Sequence, residues 1–313
     1  MNRRKFVYQT SGLALSAMAA PAFAKFAMPK DKMDRLAMGT LLWRSQFKQT
    51  KPKGVTEIKD ELTIMDLPRH HREKFGIKKL EFWSENIESF DEAYLTAVKG
   101  KIKSAGCELL DVQFDSSPFD HEGYDLANAD EEKRKAGVAH VKKWMDGSAF
   151  LGSKCVRVNP GRPSGTVEQS IKSFQELLPY AKSKGLIIIT ANHFGIETDA
   201  DKHVAIVKGV PGIYTEPDFG NYNGAPNMYE SLAKIIPYAY IVSAKVVDFT
   251  KNADGKLEHT SYDFDKCVQL AESLGFKGTY MVAQWSGKWP AANITNDEIA
   301  NWIIEHLKAN IKA

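Results

Sequence analysis

Long apolar runs are missing from this sequence, and their absence bears on its partners. No stretch approaches the roughly 18–20 consecutive apolar residues that a membrane-spanning helix needs. A charge excess is missing too, because 42 Lys and Arg residues nearly balance 39 Asp and Glu residues and leave a net charge of +3. So small a charge does not favour nucleic acid or an acidic membrane surface. We therefore expect neither a nucleic acid nor a membrane as partner.

Cysteine is scarce, with three residues in a chain of 313. Three thiols cannot all pair with one another. Cys107 and Cys155 adjoin strand-like apolar runs, and Cys267 lies in a helical pattern. The expectation is therefore buried free thiols rather than a disulfide framework.

The amino terminus has the three-part pattern of a secretory signal. The adjacent Arg3-Arg4 is followed by a mildly apolar stretch at 11–20 and by Ala22-Phe23-Ala24, an A-x-A cleavage site. The paired arginines indicate the twin-arginine route. We expect a signal peptide at 1–24 and a mature domain at 25–313, located in the periplasm or outside the cell. The alternative is the basic amphipathic start of a cytoplasmic protein.

A unit of amphipathic helix, glycine and buried strand recurs along the chain. It is clearest where a helix at 167–184 is followed by Gly185 and an apolar strand. Eight strands are predicted, at 36–43, 79–83, 109–114, 155–159, within 185–195, and at 212–216, 240–247 and 278–283. This alternation predicts an α/β protein, a single-domain (β/α)₈ barrel. The competing doubly wound sheet would need a glycine-rich phosphate turn after the first strand, and residues 38–43 do not form one.

The carboxyl ends of the strands form the functional rim of such a barrel. Here they are rich in aromatic and hydrogen-bonding side chains. Tryptophan rings stack on the apolar faces of sugars, and polar side chains bind hydroxyl groups. A small carbohydrate is therefore the predicted ligand. The predicted substrate-binding residues are Trp43, Glu81, Trp83, Arg157, Asn159, Asn192, Gln284 and Trp285. Trp289 and the pair His121-Glu122 are further candidates for the barrel mouth.

Three residues at the rim are candidate catalytic groups. His193 could act as a base, and Lys245 as a base or an electrostatic stabiliser, either of them with Asp218. Each has a structural alternative. The histidine could be a hydrogen-bonded rim residue, the lysine could pair with Asp218 or Asp248, and Asp218 could form a turn. The residues alone leave these alternatives open.

Five motifs carry a resemblance to a known family. They are Cys-Val-Arg-Val-Asn-Pro-Gly (155–161), Ala-Asn-His-Phe-Gly (191–195), Asp-Phe-Gly-Asn (218–221), Ser-Ala-Lys-Val-Val-Asp-Phe (243–249) and Gly-Thr-Tyr-Met-Val-Ala-Gln-Trp (278–285). Together they resemble the xylose-isomerase-like TIM barrels, which include sugar phosphate isomerases/epimerases and endonuclease IV-type enzymes. The resemblance extends from about Leu36 to Leu307 and implies a barrel that handles a carbohydrate.

The resemblance also implies a divalent metal (Mn, Co, Zn or Mg) held by a Glu, an Asp, a His and a second Glu. The matching positions are Ala191, Asp218, Ser243 and Ala283, the last becoming Gln284 if the register moves by one. Only Asp218 is retained, and one carboxylate among neutral groups binds a hard cation weakly. The missing glutamates are also the family's acid/base pair, and alanine accepts no proton. We expect no metal cofactor unless other ligands rebuild the site.

Two functions are compatible with this pattern. One is a sugar phosphate isomerase/epimerase-like or lyase-like enzyme that works without the family's metal and its two glutamates. The other is a non-catalytic carbohydrate-binding or regulatory pseudoenzyme. A DNA-repair nuclease is disfavoured because that chemistry needs a multi-metal cluster and export would separate the protein from DNA. A homo-oligomer is compatible with either function.

Overall fold

The computed structural model describes residues 29, 31–114, 124–285 and 293–312. The predicted signal peptide at 1–24 lies outside the described residues, and so do His121, Glu122 and Trp289. Ten strands are present in the described ranges. They are β1 Leu36–Gly39, β2 Lys79–Trp83, β3 Glu108–Phe114, β4 Cys155–Val158, β5 Ile187–Ala191, β6 Tyr214–Glu216, β7 Ile241–Val246, β8 Phe249–Lys251, β9 Leu257–His259 and β10 Thr279–Gln284.

Eight of these strands form one parallel sheet in the order β6-β5-β4-β3-β2-β1-β10-β7. Backbone hydrogen bonds join the first and last strands of this order. The N–H of Tyr240 donates to Thr215 and that of Ser243 to Pro217, both at 2.9 Å, and Phe219 donates to Ser243 at 3.1 Å. The sheet is thereby nearly closed, which confirms the predicted (β/α)₈ barrel.

Helices surround the sheet in the described part of the chain. They are α1 Leu67–Phe75, α2 Glu92–Ser104, α3 Glu131–Leu151, α4 Val167–Ser183, α5 Ala200–Gly209, α6 Met228–Ile235, α7 Phe264–Ser273 and α8 Asn296–Asn310. The residue that precedes a helix caps it in several cases. The side chains of Asp130, before α3, and Thr295, before α8, accept hydrogen bonds from backbone N–H groups in the first turn. Left-handed Gly76 and Gly152, at φ 71° and 84°, end α1 and α3. Among the described residues, no helix is long and apolar enough to cross a membrane.

Alternate side chains of each barrel strand face inward and outward. Outward residues such as Val242 and Val282 pack with the helices in the larger core. Inward residues such as Ile189, Met281 and Ala283 form a separate small cluster inside the barrel. Cys155, in the inner cluster, and Cys267 are buried free thiols, as expected, whereas Cys107 is a free thiol that is only partly buried.

The first strand is shorter than predicted. It ends at Gly39, and Thr40–Gln46 forms a 3₁₀ helix instead of continuing the strand to Trp43. A Cβ at Gly39 would lie 2.5 Å from Oε1 of Glu81, so a larger residue there would push that carboxylate out of its place. The turn carries Trp43 into the outer core, where its ring lies 4.6 Å from His71 and 5.6 Å from Phe75.

Residues 252–256 form the turn of a hairpin that the sequence analysis did not predict. Strands β8 and β9 pair antiparallel on either side of it. After the hairpin, the Tyr262 hydroxyl donates to the carbonyl of Lys245, near the end of β7. The segment thus braces the strand that carries Lys245.

Candidate functional site

A cavity of about 490 Å³ opens at the carboxyl end of the barrel. Seven of the predicted site residues line it, because they sit at or just beyond strand ends. They are Trp83, Arg157, Asn159, His193, Asp218, Lys245 and Trp285. Their shared location agrees with the sequence analysis, and their individual roles remain predictions.

One wall of the cavity is aromatic. The rings of Trp83 and Trp285 meet edge to face with centroids 6.1 Å apart, and the Arg44 guanidinium lies 4.2 Å from the Trp285 ring centroid. Burial lowers the pKa of Arg44 to about 10. Trp285 keeps 40% of its surface exposed and Phe194, on another part of the wall, keeps 69%. Exposed aromatic faces of this kind suit stacking against an apolar ligand face.

Another wall is polar. Arg157 donates through Nη1 to Oε1 of Gln113 at 2.9 Å. The Asn159 amide lies 3.4 Å from Nδ1 of His193, and the backbone N–H of Asn159 donates to the Tyr124 hydroxyl at 2.9 Å. These contacts fix side chains with hydrogen-bonding capacity around a concave space.

A salt bridge lies at the base of the cavity. Nζ of Lys245 is 2.9 Å from Oδ2 of Asp218, and both side chains are nearly buried. Asn192 holds the backbone of Asp218 from both sides: its Oδ1 accepts from the Asp218 N–H at 2.7 Å and its Nδ2 donates to the Asp218 carbonyl at 3.0 Å. The Asn221 N–H donates to Oδ1 of Asp218 at 3.1 Å. Lys245 therefore pairs with Asp218, one of the two partners predicted for it, and it also borders the cavity.

The residues at the four positions assigned to a metal do not fit one. Ala283 is in register with Lys245 and belongs to the inner cluster, so the family position falls on Ala283 and not on Gln284. Alanines at 191 and 283 offer no ligand, and the carboxylate of Asp218 is already neutralised by an ammonium group. A hard divalent cation needs several anionic oxygens. This chemistry argues against the family's metal at these positions.

Four predicted substrate-binding residues are buried away from the cavity wall, and their predicted placement is wrong. Trp43 is in the outer core because β1 ends early, and Asn192 turns to the Asp218 backbone. Gln284 falls on the outward side of β10, where its Nε2 donates to the Val247 carbonyl at 3.2 Å. Glu81 points into the barrel interior and is 2% exposed.

Glu197 borders the cavity and was missed by the sequence analysis. It lies in a short 3₁₀ helix after β5, where Oε1 accepts from the N–H of Gly195 at 3.1 Å and Oε2 has no donor among the described residues. Burial raises the pKa of this carboxyl to about 7. In the sequence, the only indication of this residue was its position four residues after His193. Its burial depends on how the loop packs, which the sequence pattern does not show. A Cβ at Gly195 would lie 2.4 Å from Oε2 of Glu197.

A cluster of acidic residues inside the barrel was also missed. Glu81, Asp111 and Glu216 are buried, and each offers an oxygen within 4.8 Å of the others. Nη1 of Arg157 is 3.8 Å from Oε2 of Glu216. Burial and the neighbouring carboxylates raise the pKa of Asp111 and of Glu216 well above their usual values. The available signal was a charged residue within the apolar run Leu109-Leu110-Asp111-Val112.

The fold agrees with the comparison to known families. The profile of the xylose isomerase-like TIM barrel family matches residues 73–309, more than half of the chain. The chain therefore belongs to the xylose isomerase-like TIM barrel family. Among curated proteins, none matches the chain significantly.

Solved structures share the fold at low sequence identity. An L-ribulose 3-epimerase superimposes with a TM-score of 0.65 at 14% identity, over 88% of this chain and 95% of that chain. D-psicose 3-epimerase with D-tagatose from Clostridium cellulolyticum H10 gives 0.62 at 12% identity, over 88% and 98%. A xylose isomerase-like TIM barrel protein from Mycobacterium smegmatis in complex with magnesium gives 0.58 at 15% identity, over 88% and 97%. At these identities the similarity establishes the fold alone.

Proposed function

We propose that this protein binds a small carbohydrate in the cavity at the carboxyl end of the barrel, without a metal at the family's position. One observation carries the proposal: a cavity of about 490 Å³ with a tryptophan wall and a hydrogen-bonding wall. Ligand pockets for small molecules have volumes of about 300–1,000 Å³. A sugar ring presents the same two chemistries, an apolar face and a rim of hydroxyl groups.

In this proposal the two walls of the cavity bind different parts of the sugar. Trp285 and Trp83 cover an apolar face of the sugar, and Arg157 and Asn159 bind hydroxyl groups. Lys245 supplies a further donor at the base of the cavity, with its charge balanced by Asp218. The relatives whose names refer to L-ribulose, D-psicose and D-tagatose make ketoses the first ligands to test.

Thermal unfolding with and without sugar tests the proposal. A ketose panel at millimolar concentration, in buffer containing EDTA, should raise the Tm of the wild-type protein. Trp285→Ala should weaken binding by about tenfold or more, because it removes the stacking surface. Phe150→Ala is the matched control, since Phe150 is an exposed aromatic residue that does not line the cavity. Equal binding by both variants, or no Tm shift with any sugar, would contradict the proposal.

A second candidate function is proton transfer on the bound sugar, as in an isomerase or epimerase. The favouring observation is that Glu197, with its pKa raised to about 7, and His193 border the same cavity. A carboxyl group with that pKa can donate or accept a proton near neutral pH. Incubation with the bound ketose in D₂O should then place deuterium on carbon, and Glu197→Gln should slow this at least a hundredfold. Binding without deuterium incorporation would identify the protein as a carbohydrate-binding pseudoenzyme.

We also propose that the protein is exported through the twin-arginine route, on the strength of Arg3-Arg4 and the Ala22-Phe23-Ala24 site. The mature protein should begin near Lys25, and Arg3→Lys with Arg4→Lys should retain it in the cytoplasm. Cell fractionation with mass measurement of the amino terminus tests this. An intact amino terminus in the cytoplasm of wild-type cells would refute it.

A further inference from the structure

We propose that the barrel interior binds a hard divalent cation, such as Mn²⁺, Mg²⁺ or Ca²⁺, through Glu81, Asp111 and Glu216. We call these three residues the interior triad. They come from strands β2, β3 and β6, so the closed barrel brings them together from distant parts of the chain. The proposal goes beyond carbohydrate binding and stands independently of it.

The spacing of the interior triad suits one ion. One oxygen from each residue lies within 4.8 Å of the other two. Oxygen ligands lie about 2.1 Å from Mg²⁺ and about 2.3–2.6 Å from Ca²⁺, so two ligands of one ion are at most about 4.2 Å apart around Mg²⁺ and about 5 Å apart around Ca²⁺. Three carboxylate oxygens within 4.8 Å of one another can therefore share one Ca²⁺ as they stand, and one Mn²⁺ or Mg²⁺ after a small rotation of the side chains.

Asp111 and Glu216 place two buried carboxylates beside one guanidinium group. Nη1 of Arg157 stays 3.8 Å from Oε2 of Glu216 while donating to Gln113 at 2.9 Å. Lys245 is paired with Asp218. Ionised carboxylates at such depth are strongly disfavoured unless cations or hydrogen bonds compensate them. A divalent cation would stabilise both carboxylates in the ionised form, whereas in its absence protonation removes the charge.

The hydrogen bonding of two members points to a ligand independently of their clustering. The side chains of Asp111 and Glu216 are both fully buried, and neither carboxylate oxygen of Glu216 accepts a hydrogen bond from a donor in the described residues. The Asp111 carboxylate has only the poorly aligned backbone N–H groups of Val112 and Arg157 near it. Buried carboxylates normally have partners. Elsewhere in this protein they do: Glu272 accepts from Arg35, the Tyr280 hydroxyl and the Lys312 N–H.

The site differs from the one that the family uses. The family positions hold Ala191 and Ala283, which offer no ligand, and Asp218, which is paired. Glu216 is the last residue of β6 and precedes Asp218 by two residues, and Asp218 lines the cavity whereas no member of the interior triad does, so the triad lies deeper in the barrel than the cavity. Gly39 makes room for it, because a Cβ there would approach Oε1 of Glu81 to 2.5 Å.

Manganese binding tests the inference directly. The purified protein is stripped with EDTA, dialysed at pH 7.5 and titrated with MnCl₂, and free Mn²⁺ is followed by its electron paramagnetic resonance signal. The wild-type protein should bind one Mn²⁺ per chain. Asp111→Asn and Glu216→Gln should each weaken this at least tenfold, because each replaces an anionic ligand with a neutral amide of similar size.

Asp201→Asn is the matched control, since it replaces an exposed carboxylate that pairs with Lys234 on the helical surface and leaves the interior triad intact. It should bind Mn²⁺ as the wild type does. Loss of Mn²⁺ in this variant, unchanged binding in the triad variants, or no binding by the wild type would each overturn the inference. If a triad variant fails to fold, the wild type decides alone: Mn²⁺ must raise its Tm after EDTA treatment, and an unchanged Tm refutes the site. Sugar binding is measured with EDTA present, so its failure would be separate from this result.

Discussion

Two arginine–glutamate pairs are buried in this barrel, and they are built differently. In the first, Nη2 of Arg35 lies 2.8 Å from Oε1 of Glu272. The Arg35 guanidinium also donates to the backbone carbonyls of Phe276, Gly278 and Lys312. In the second, Nη1 of Arg157 stays 3.8 Å from Glu216, and neither oxygen of that glutamate has a hydrogen-bond donor in the described residues.

The difference separates a structural pair from a functional one. The hydrogen-bonding capacity around Arg35 and Glu272 is largely used within the protein, so this pair has little left for a ligand. Arg157 borders the cavity, and Glu216 belongs to the interior triad with both of its oxygens lacking a hydrogen-bond donor among the described residues. Polar groups that a fold leaves under-satisfied in its interior are the ones available to bind ions or substrates.

The largest change in stability that tests this comparison is expected at the pair of Arg35 and Glu272. Arg35→Met should lower the free energy of unfolding by about 3–5 kcal/mol, because it leaves Glu272 buried without its cation. Urea denaturation measures the change. Lys74→Met is a control at the exposed pair of Lys74 with Asp297, where the loss should stay within about 1 kcal/mol. Similar losses in both variants would show that the buried pair contributes no more than a surface one.

An intermediate effect is expected from Glu197, a buried carboxyl group with an unused oxygen. Its folded-state pKa of about 7 lies above the pKa of about 4.5 that the group has in the unfolded chain, so the protonated form favours folding. The stabilisation is complete below about pH 4.5 and is lost as the pH rises to about 7, with a total change of about 3 kcal/mol.

The difference between wild type and Glu197→Gln isolates this contribution from other titrating groups. The wild type should lose stability relative to the variant as the pH rises from about 5 to about 7.5, as followed by urea denaturation at each pH. Parallel pH profiles of the two proteins would show that the carboxyl group is ionised normally.

The smallest effect is expected at Glu216, and here the substitution should stabilise the protein instead of destabilising it. In metal-free buffer near neutral pH, Glu216→Gln should raise the free energy of unfolding by about 1–2 kcal/mol, because a neutral amide replaces a carboxyl group that must take up a proton, at a free-energy cost, to stay in the buried cluster. Urea denaturation with EDTA present measures it. A loss comparable to that of Arg35→Met would mean that Arg157 and Glu216 form a structural pair after all.

The barrel was predictable from the sequence because its signals are local. Apolar runs such as Ile187–Ala191 form strands wherever helices cover them, and the glycines between helix and strand mark the boundaries. Residues directly at strand ends, such as Trp83 and Arg157, were therefore placed at the cavity correctly. The failure at Trp43 came from a contact outside its own segment, since the strand ends where Gly39 meets Glu81.

The interior triad could not be predicted because it depends on strand register. A register shift between Leu80 and Glu81 places Glu81 opposite Asp111 rather than Leu110. Glu216 reaches the same place only because the barrel closes. The burial of Glu197 likewise depends on Gly195 and the neighbouring loop, whose packing no local pattern encodes.

The junction between β6 and β7 has a consequence for kinetics. It is held by few backbone hydrogen bonds compared with the continuous ladder between β7 and β10, and β6, which carries Glu216, borders it. Local opening is easiest where such bonds are fewest. An ion sealed inside the barrel would then enter and leave at the frequency of this opening, over minutes rather than milliseconds if opening is rare. The fraction of molecules that hold a cation would then depend on the metal present while the chain folded as much as on the metal present in the assay.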